Sequence, residues 1–271
     1  MIIKKQVESL LTEVREKSPL VHNITNYVTV NDCANVILAI GASPIMADDI
    51  KEAESITSIS SALVINIGTL NERTVASMIA SGKKANELNI PVIFDPVGAG
   101  ASEFRNNTTI EILNQVKVNI LRGNLSEISF IAGLSTSTKG VDVSEEDSKK
   151  DAVIIAKSVA QKYSCVVAIT GAIDVISNGD RVVKISNGHK MLSTVTGTGC
   201  MTSALVGSFA GVGDDYLTAA VAGVACMGIA GEIAHRVAQE IGLATFHIAI
   251  IDALSKLNGE IIEEMARFEE E

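Results

Sequence analysis

Four short runs in this chain are apolar with hardly a break: Ala62 to Ile67 (ALVINI), Pro91 to Phe94 (PVIF), Val118 to Leu121 (VNIL) and Cys165 to Ile169 (CVVAI). A strand with one wet face alternates apolar and polar residues; a run with no polar face must be covered on both sides. Between and around these runs lie helical patterns at Asn71 to Asn89, Thr109 to Val116 and Ala152 to Tyr163. Such alternation predicts an α/β fold in three layers, a central mostly parallel sheet with helices on both faces. Upstream, Val7, Leu10, Leu11 and Val14 give Gln6 to Lys17 a helical stripe. Asn31 to Ile40 predicts a second helix, stopped by Gly41 with Pro44 beyond. Ser126 is placed to cap a short helix through Ile131, and an acidic loop follows from Leu134 to Asp147. Asp174 to Ile185 reads as a hairpin turning at Asn178-Gly179. Met191 to Val195 reads as one more strand, and Cys200 to Ala210, Tyr216 to Val237 and Thr245 to Phe268 as helices. No repeat or Pro/Gly-rich linker divides the 271 residues, so one domain over 1–271 is expected.

Composition narrows the partners. The chain is 47% hydrophobic, too much for a disordered segment, yet only 3% aromatic and without Trp. Its core must be Ala, Val, Ile and Leu, and 21 Gly suggest helices seated closely on the sheet. A formal charge of −10 without a basic block argues against nucleic acid. Cys33, Cys165, Cys200 and Cys226 are scattered without zinc spacing. The N-terminal residues do not read as a signal peptide. Of the membrane candidates, Met191 to Gly213 is crowded with Ser, Thr and Gly, and Leu217 to Gly231 is too short for a span. A cytoplasmic protein with reduced thiols and no membrane partner is expected.

Ligands of such sheets gather at the carboxyl ends of the strands, so the residues after each run are the ones to read. Thr196-Gly197-Thr198-Gly199-Cys200 opens an Ala/Gly-rich helix, where free backbone N–H groups and partial positive charge suit an anion; the plainer reading is a close-packing turn. Neither a dinucleotide fingerprint nor a P-loop is present. Cys200 is a candidate base or nucleophile with a pKa lowered by the helix N-terminus, or else a small buried packing residue. Asp95 and Glu127 follow adjacent strands and can hold Mg²⁺ through water, although Asp95 also suits an Asp-Pro turn and Glu127 a helix start. Arg122 is either a phosphate ligand or a structural ion-pair partner. His22 to Val28 (HNITNYV) either lines a small-molecule pocket or forms a capped turn. Met46 is either a pocket wall or core filler. Glu232 and His235 sit at i, i+3 on a helix, but no second copy exists to complete a dimetal site.

HNITNYVTVNDCAN, SPIMADD, DPVGAGAS, ILRGNLSEI, AITGAIDVI and TGTGC occur in this order, and together they resemble the hydroxyethylthiazole kinases of thiamine salvage, within the ribokinase-like superfamily. The resemblance spans nearly the whole chain. It implies ATP-dependent phosphorylation of the hydroxyl of 4-methyl-5-(2-hydroxyethyl)thiazole, Mg²⁺ as cofactor, and a homotrimer with active sites between subunits. It assigns Met46, Gly197, Asn26 and Gly68 to the thiazole, and Arg122 and Thr170 to ATP. Asp95 and Glu127 become the acids that organise Mg²⁺ and phosphate, Gly197 to Cys200 the anion hole, and Cys200 the catalytic position that is Asp in most ribokinase-like enzymes. The rival readings are a hydroxymethylpyrimidine-type salvage kinase and a nucleotide-dependent dehydratase that repairs hydrated cofactors. Both are expected to keep Asp where Cys200 stands.

Overall fold

The computed structural model describes residues 2–134 and 145–271. The first half alternates strand and helix in this order: α1 (Ile2–Lys17), β1 (Leu20–Ile24), α2 (Val30–Ile40), β2 (Ser43–Ile45), α3 (Ala53–Ser58), β3 (Ala62–Asn66), α4 (Glu72–Glu87), β4 (Val92–Asp95), α5 (Glu103–Gln115) and β5 (Ile120–Asn124). The second half continues with α6 (Leu125–Ile131), α7 (Glu145–Tyr163), β6 (Val166–Thr170), β7 (Asp174–Ser177) and β8 (Val182–Ile185). A 3-10 helix (Lys190–Thr194) then leads to α8 (Thr198–Ala210), α9 (Tyr216–Ala238), α10 (Leu243–Lys256), α11 (Gly259–Met265) and β9 (Phe268–Glu270). The nine strands form one sheet in the order β2-β1-β3-β4-β5-β6-β7-β8-β9. Pairing is parallel from β2 to β6 and antiparallel from β6 to β9.

The apolar runs are buried on both faces, as their lack of a polar face requires. Along β3, Ala62 and Val64 join the core under α8 and α9, whereas Leu63 and Ile65 join the core under α4 to α7. The two layers differ in texture. Every residue of α8 from Met201 to Ala210 is buried, so that helix is wrapped by protein all round. Small side chains make this fit: a Cβ on Gly207 would lie 2.5 Å from Cγ2 of Val64. α9 has the length and apolar character of a membrane span, but 89% of its most apolar window is buried inside the fold, which makes it a core helix.

The hairpin turns at Asn178-Gly179 as expected, and α2 ends on Gly41 at φ +106. Three local expectations are corrected, and β1, β2 and α3 were not foreseen. Met191 to Val195 is not a strand; His189 caps a 3-10 turn there, and the Ser193 and Thr194 hydroxyls bond back to carbonyls three residues earlier. Thr245 to Phe268 is not one helix: Asn258 caps a second one, and Phe268–Glu270 then pairs with β8. Asn124 rather than Ser126 caps α6. β1 was hidden by the polar His22 and Asn23, both buried. His22 shares hydrogen bonds with the Thr57 hydroxyl at 3.0 Å and the Ala47 carbonyl at 2.8 Å. Most of the acidic loop, residues 135–144, lies outside the described residues.

Candidate active site

Parallel pairing from β1 to β6 aligns the strand ends, and their loops converge on Asp95, the last residue of β4. Asp95 is fully buried. Its Oδ2 accepts from Ser203 Oγ at 2.7 Å and Asn66 Nδ2 at 2.9 Å, and lies 3.5 Å from an Arg122 guanidinium nitrogen. Its Oδ1 has no partner among the described residues. Burial pushes the Asp95 carboxyl up to about 6, against the opposing pull of Arg122 and Ser203.

Asn66, at the end of β3, joins this acid to the β1–α2 turn. Its Oδ1 accepts from the Gly68 backbone N–H at 2.9 Å and from Asn26 Nδ2 at 3.0 Å. Because a backbone N–H can only donate, the orientation of the Asn66 amide is fixed. Asn26 is held in turn through Oδ1, which accepts from the Thr29 N–H and hydroxyl. Its Nδ2 also donates to Cys200 Sγ at 3.2 Å. Cys200 is the third residue of α8. Its expected lowered pKa is overturned: burial first, and the nearby Asp95 second, push the thiol up. The helix N-terminus favours thiolate, but exclusion of water opposes it more strongly here.

Gly197 begins α8 at φ +86, a conformation that favours glycine, and a Cβ there would meet the Thr29 methyl at 2.6 Å. No side chain caps the helix, so the N–H groups of Thr198, Gly199 and Cys200 precede its first internal bond, from Met201 to the Gly197 carbonyl. Arg122 lies directly above them: a Cβ on Gly199 would be 2.8 Å from its guanidinium. The same guanidinium donates to Thr170 Oγ1 at 2.6 Å.

Glu127 closes the arrangement. Its Oε1 accepts from the Gly98 N–H and its Oε2 from the Asn124 N–H, both at 2.8 Å. It therefore ties the DPVGAG loop to the start of α6 and completes the capping box with Asn124. Arg105 clamps the DPVGAG loop to the loop after β3 by donating to the carbonyls of Val97, Ile67 and Gly68.

Most of the residues singled out in the sequence surround one cavity of about 400 Å³: Asn26, Gly68, Asp95, Arg122, Glu127, Gly197 and Cys200, with Gly199 of the helix start. Thr170 lies in a second cavity of about 540 Å³, which reaches Asp174, Lys190 and Met227. Arg122 and Gly199 border both. Met46 is not brought into either; it lines a third cavity of about 320 Å³, beside Asn23 and Met78, which meets the first at Thr69. Asn66, Ser203 and Arg105 were missed, since in the sequence they read as a strand residue, a helix residue and a dispersed surface cation. Only the NIGT that follows the run at Asn66 hinted at a strand-end role. Glu232 holds Arg267 and the Gly188 N–H, and His235 stacks on His189 at 3.6 Å between ring centroids. Among the described residues no group of three or more His, Cys, Asp or Glu is arranged for a metal ion.

The same backbone arrangement occurs in small-molecule kinases. Pyridoxal kinase from Staphylococcus aureus, solved with AMP-PCP and pyridoxal, matches with a TM-score of 0.61 at 13% identity, over 79% of this chain and 87% of that one. This likeness places the fold in the ribokinase-like class. Closer relatives narrow it. The model of the hydroxyethylthiazole kinase family matches residues 11–260. Hydroxyethylthiazole kinase from Clostridium beijerinckii is 66% identical, over 99% of this chain and 98% of its own length. The one from Ruminiclostridium cellulolyticum is 67% identical over 98% of each. The solved hydroxyethylthiazole kinase from Pyrococcus horikoshii OT3 gives a TM-score of 0.90 at 40% identity, over 98% of this chain and 99% of that one. The chain belongs to the hydroxyethylthiazole kinase family, and the rival pyrimidine kinase and dehydratase readings fall away.

Proposed function

We propose that this chain transfers the γ-phosphoryl group of ATP to the hydroxyl of 4-methyl-5-(2-hydroxyethyl)thiazole, giving thiazole phosphate and ADP in thiamine salvage. The observation that carries the reading is the meeting of a buried, half-satisfied carboxylate with an uncapped helix N-terminus, under a guanidinium that borders two cavities. ATP takes the larger cavity, with Arg122 and Thr170 at its phosphates. The alcohol takes the smaller one, near Asn26, Gly68 and Gly197. Its hydroxyl oxygen then attacks the γ-phosphorus in line while the N–H groups of Thr198, Gly199 and Cys200 take up charge on the equatorial oxygens.

The donor set fits Mg²⁺. The free Oδ1 of Asp95 is an orphaned hard oxygen, and each Glu127 oxygen retains a lone pair beyond its single N–H. Two carboxylates are what this ion takes beside substrate phosphates. When bound, Mg²⁺ supplies charge neutralisation between the phosphate groups. Cys200 contacts the alcohol and, as the thiolate, accepts its proton late in transfer; burial pushes the thiol up and keeps that form scarce, so the base adds little to the rate. Replacement of Cys200 by Ala should lower kcat about 10-fold, because general-base assistance is a modest term in phosphoryl transfer. Unchanged kcat would remove Cys200 from the chemistry.

We further propose a cytoplasmic location and a homotrimer with its active sites between subunits; the separate position of Met46 and the exposure of Tyr27 and Val28 beside the smaller cavities support the trimer. The deciding experiment incubates the protein with ATP, Mg²⁺ and the thiazole alcohol and looks for thiazole phosphate, with hydroxymethylpyrimidine as the control alcohol. Phosphorylation of the pyrimidine alone would overturn the substrate assignment.

A further inference from the structure

A buried carboxylate held for structural reasons has both oxygens bonded, because an orphan oxygen in a low-dielectric site is costly. Asp95 departs from this in one direction only. All of its donors, Ser203, Asn66 and Arg122, converge on Oδ2, and Oδ1 is left bare. The donors come from three different elements: α8 one turn beyond the anion hole, the end of β3, and β5. Two of them belong to buried side chains, of which Asn66 also lines the third cavity. Ser203 is fully buried and Asn66 nearly so.

Resting on the kinase reading above, we propose that Ser203 and Asn66 are positioning residues. By fixing Oδ2, they set the plane of the Asp95 carboxylate so that Oδ1 stays free for the cation. Asn66 also links this setting to the alcohol side, since its other atom holds the Gly68 N–H and Asn26, whose Nδ2 reaches Cys200. The acid and the thiol are thereby held at a fixed separation by two amides rather than by the backbone alone. Ser203 serves the acid without touching either substrate, so its loss should act on one step and leave alcohol binding unaltered.

The test compares wild type with Ser203→Ala, using two readouts. In steady-state assays, Ser203→Ala should lower kcat about 5- to 20-fold and keep the KM for the thiazole alcohol within about 2-fold, the pattern of an interaction that matters in the transition state. By titration calorimetry, the gain in ADP affinity produced by Mg²⁺ should shrink about 5-fold or more, with ADP affinity in EDTA unchanged. Asn66→Asp retains the acceptor for Gly68 but sets an oxygen against Asp95 Oδ2, and should cost at least about 50-fold in kcat. If Asn66→Asp does not fold, Ser203→Ala decides. A Ser203→Ala protein within 2-fold of wild type in both readouts overturns the proposal. So does an equal loss of ADP affinity with and without Mg²⁺, which would mark a purely structural role. The calorimetry does not need the alcohol, so a failure of the thiazole assignment and a failure of this proposal are read separately.

Discussion

Asp95 ends β4 and Glu127 lies in the first turn of α6 just after β5, so the two carboxylates look equivalent in the sequence. They are not. Glu127 receives a backbone N–H on each oxygen and binds two loops together. Asp95 receives side-chain donors on one oxygen and nothing on the other. The first pattern lowers the energy of the fold. The second raises it, since a buried orphan oxygen gains its partner only when a ligand arrives. Two acids of like appearance in the sequence thus divide stability and chemistry between them.

The largest effect should come from removing the Asp95 charge. Asp95→Asn is expected to cost about 10³-fold in kcat while leaving Tm no lower than wild type, because a neutral amide relieves the burial of a carboxylate. A Tm that falls with the activity would break the contrast. Next, Arg122→Ala should cost about 10²-fold in kcat/KM for ATP and leave thiazole affinity nearly unaltered; unchanged kinetics with varied ATP would contradict its placement. Glu127→Gln should reverse the Asp95 pattern. Losing one charge-assisted bond of about 1.5–3 kcal/mol should lower Tm by about 3–10 °C, with activity down about 10-fold.

The smallest effect concerns Asp174, buried beside the larger cavity and pushed up by burial to about 7 from an ordinary value of 3.8. The folded chain therefore holds a proton that the unfolded chain has released between those values. The stability from this group is complete below about pH 4 and is lost as pH rises through about 7. Asp174→Asn should flatten the decline in Tm between pH 5 and pH 8, as followed by thermal melts across about that range. An unaltered slope would show that Asp174 is not the group responsible.

Much of this arrangement was legible because it is local. The four apolar runs gave the heart of the parallel sheet, and the residues that follow them gave Asp95, Arg122 and Glu127, whereas TGTGC was legible from its glycines at a helix start. What escaped is settled by contacts between distant segments. β1 was obscured because the partners of His22, Thr57 and Ala47, lie on α3 and in the loop before it. The state of Cys200 stayed open in the sequence because a helix start is visible there, whereas the burial that pushes the thiol up comes from packing. Ser203 is one of several hydroxyl residues in an apolar helix, and only the approach of α8 to the end of β4 gives it a carboxylate to hold.

The layer built from α8, α9 and α10 also bears on how the chain is made. All six parallel strands are complete by Thr170, yet α8, which covers β1, β3 and β4, and α9, which covers β6 to β8, begin only at Thr198 and Tyr216. A chain emerging from the ribosome therefore carries a nearly finished sheet whose second face still lacks α8 and α9, and α9 is a helix apolar enough to be mistaken for a membrane segment. For that interval the nascent protein is a client for whatever binds bare hydrophobic surface in the cell. Its folding is decided late, when the last third of the chain closes over the first two.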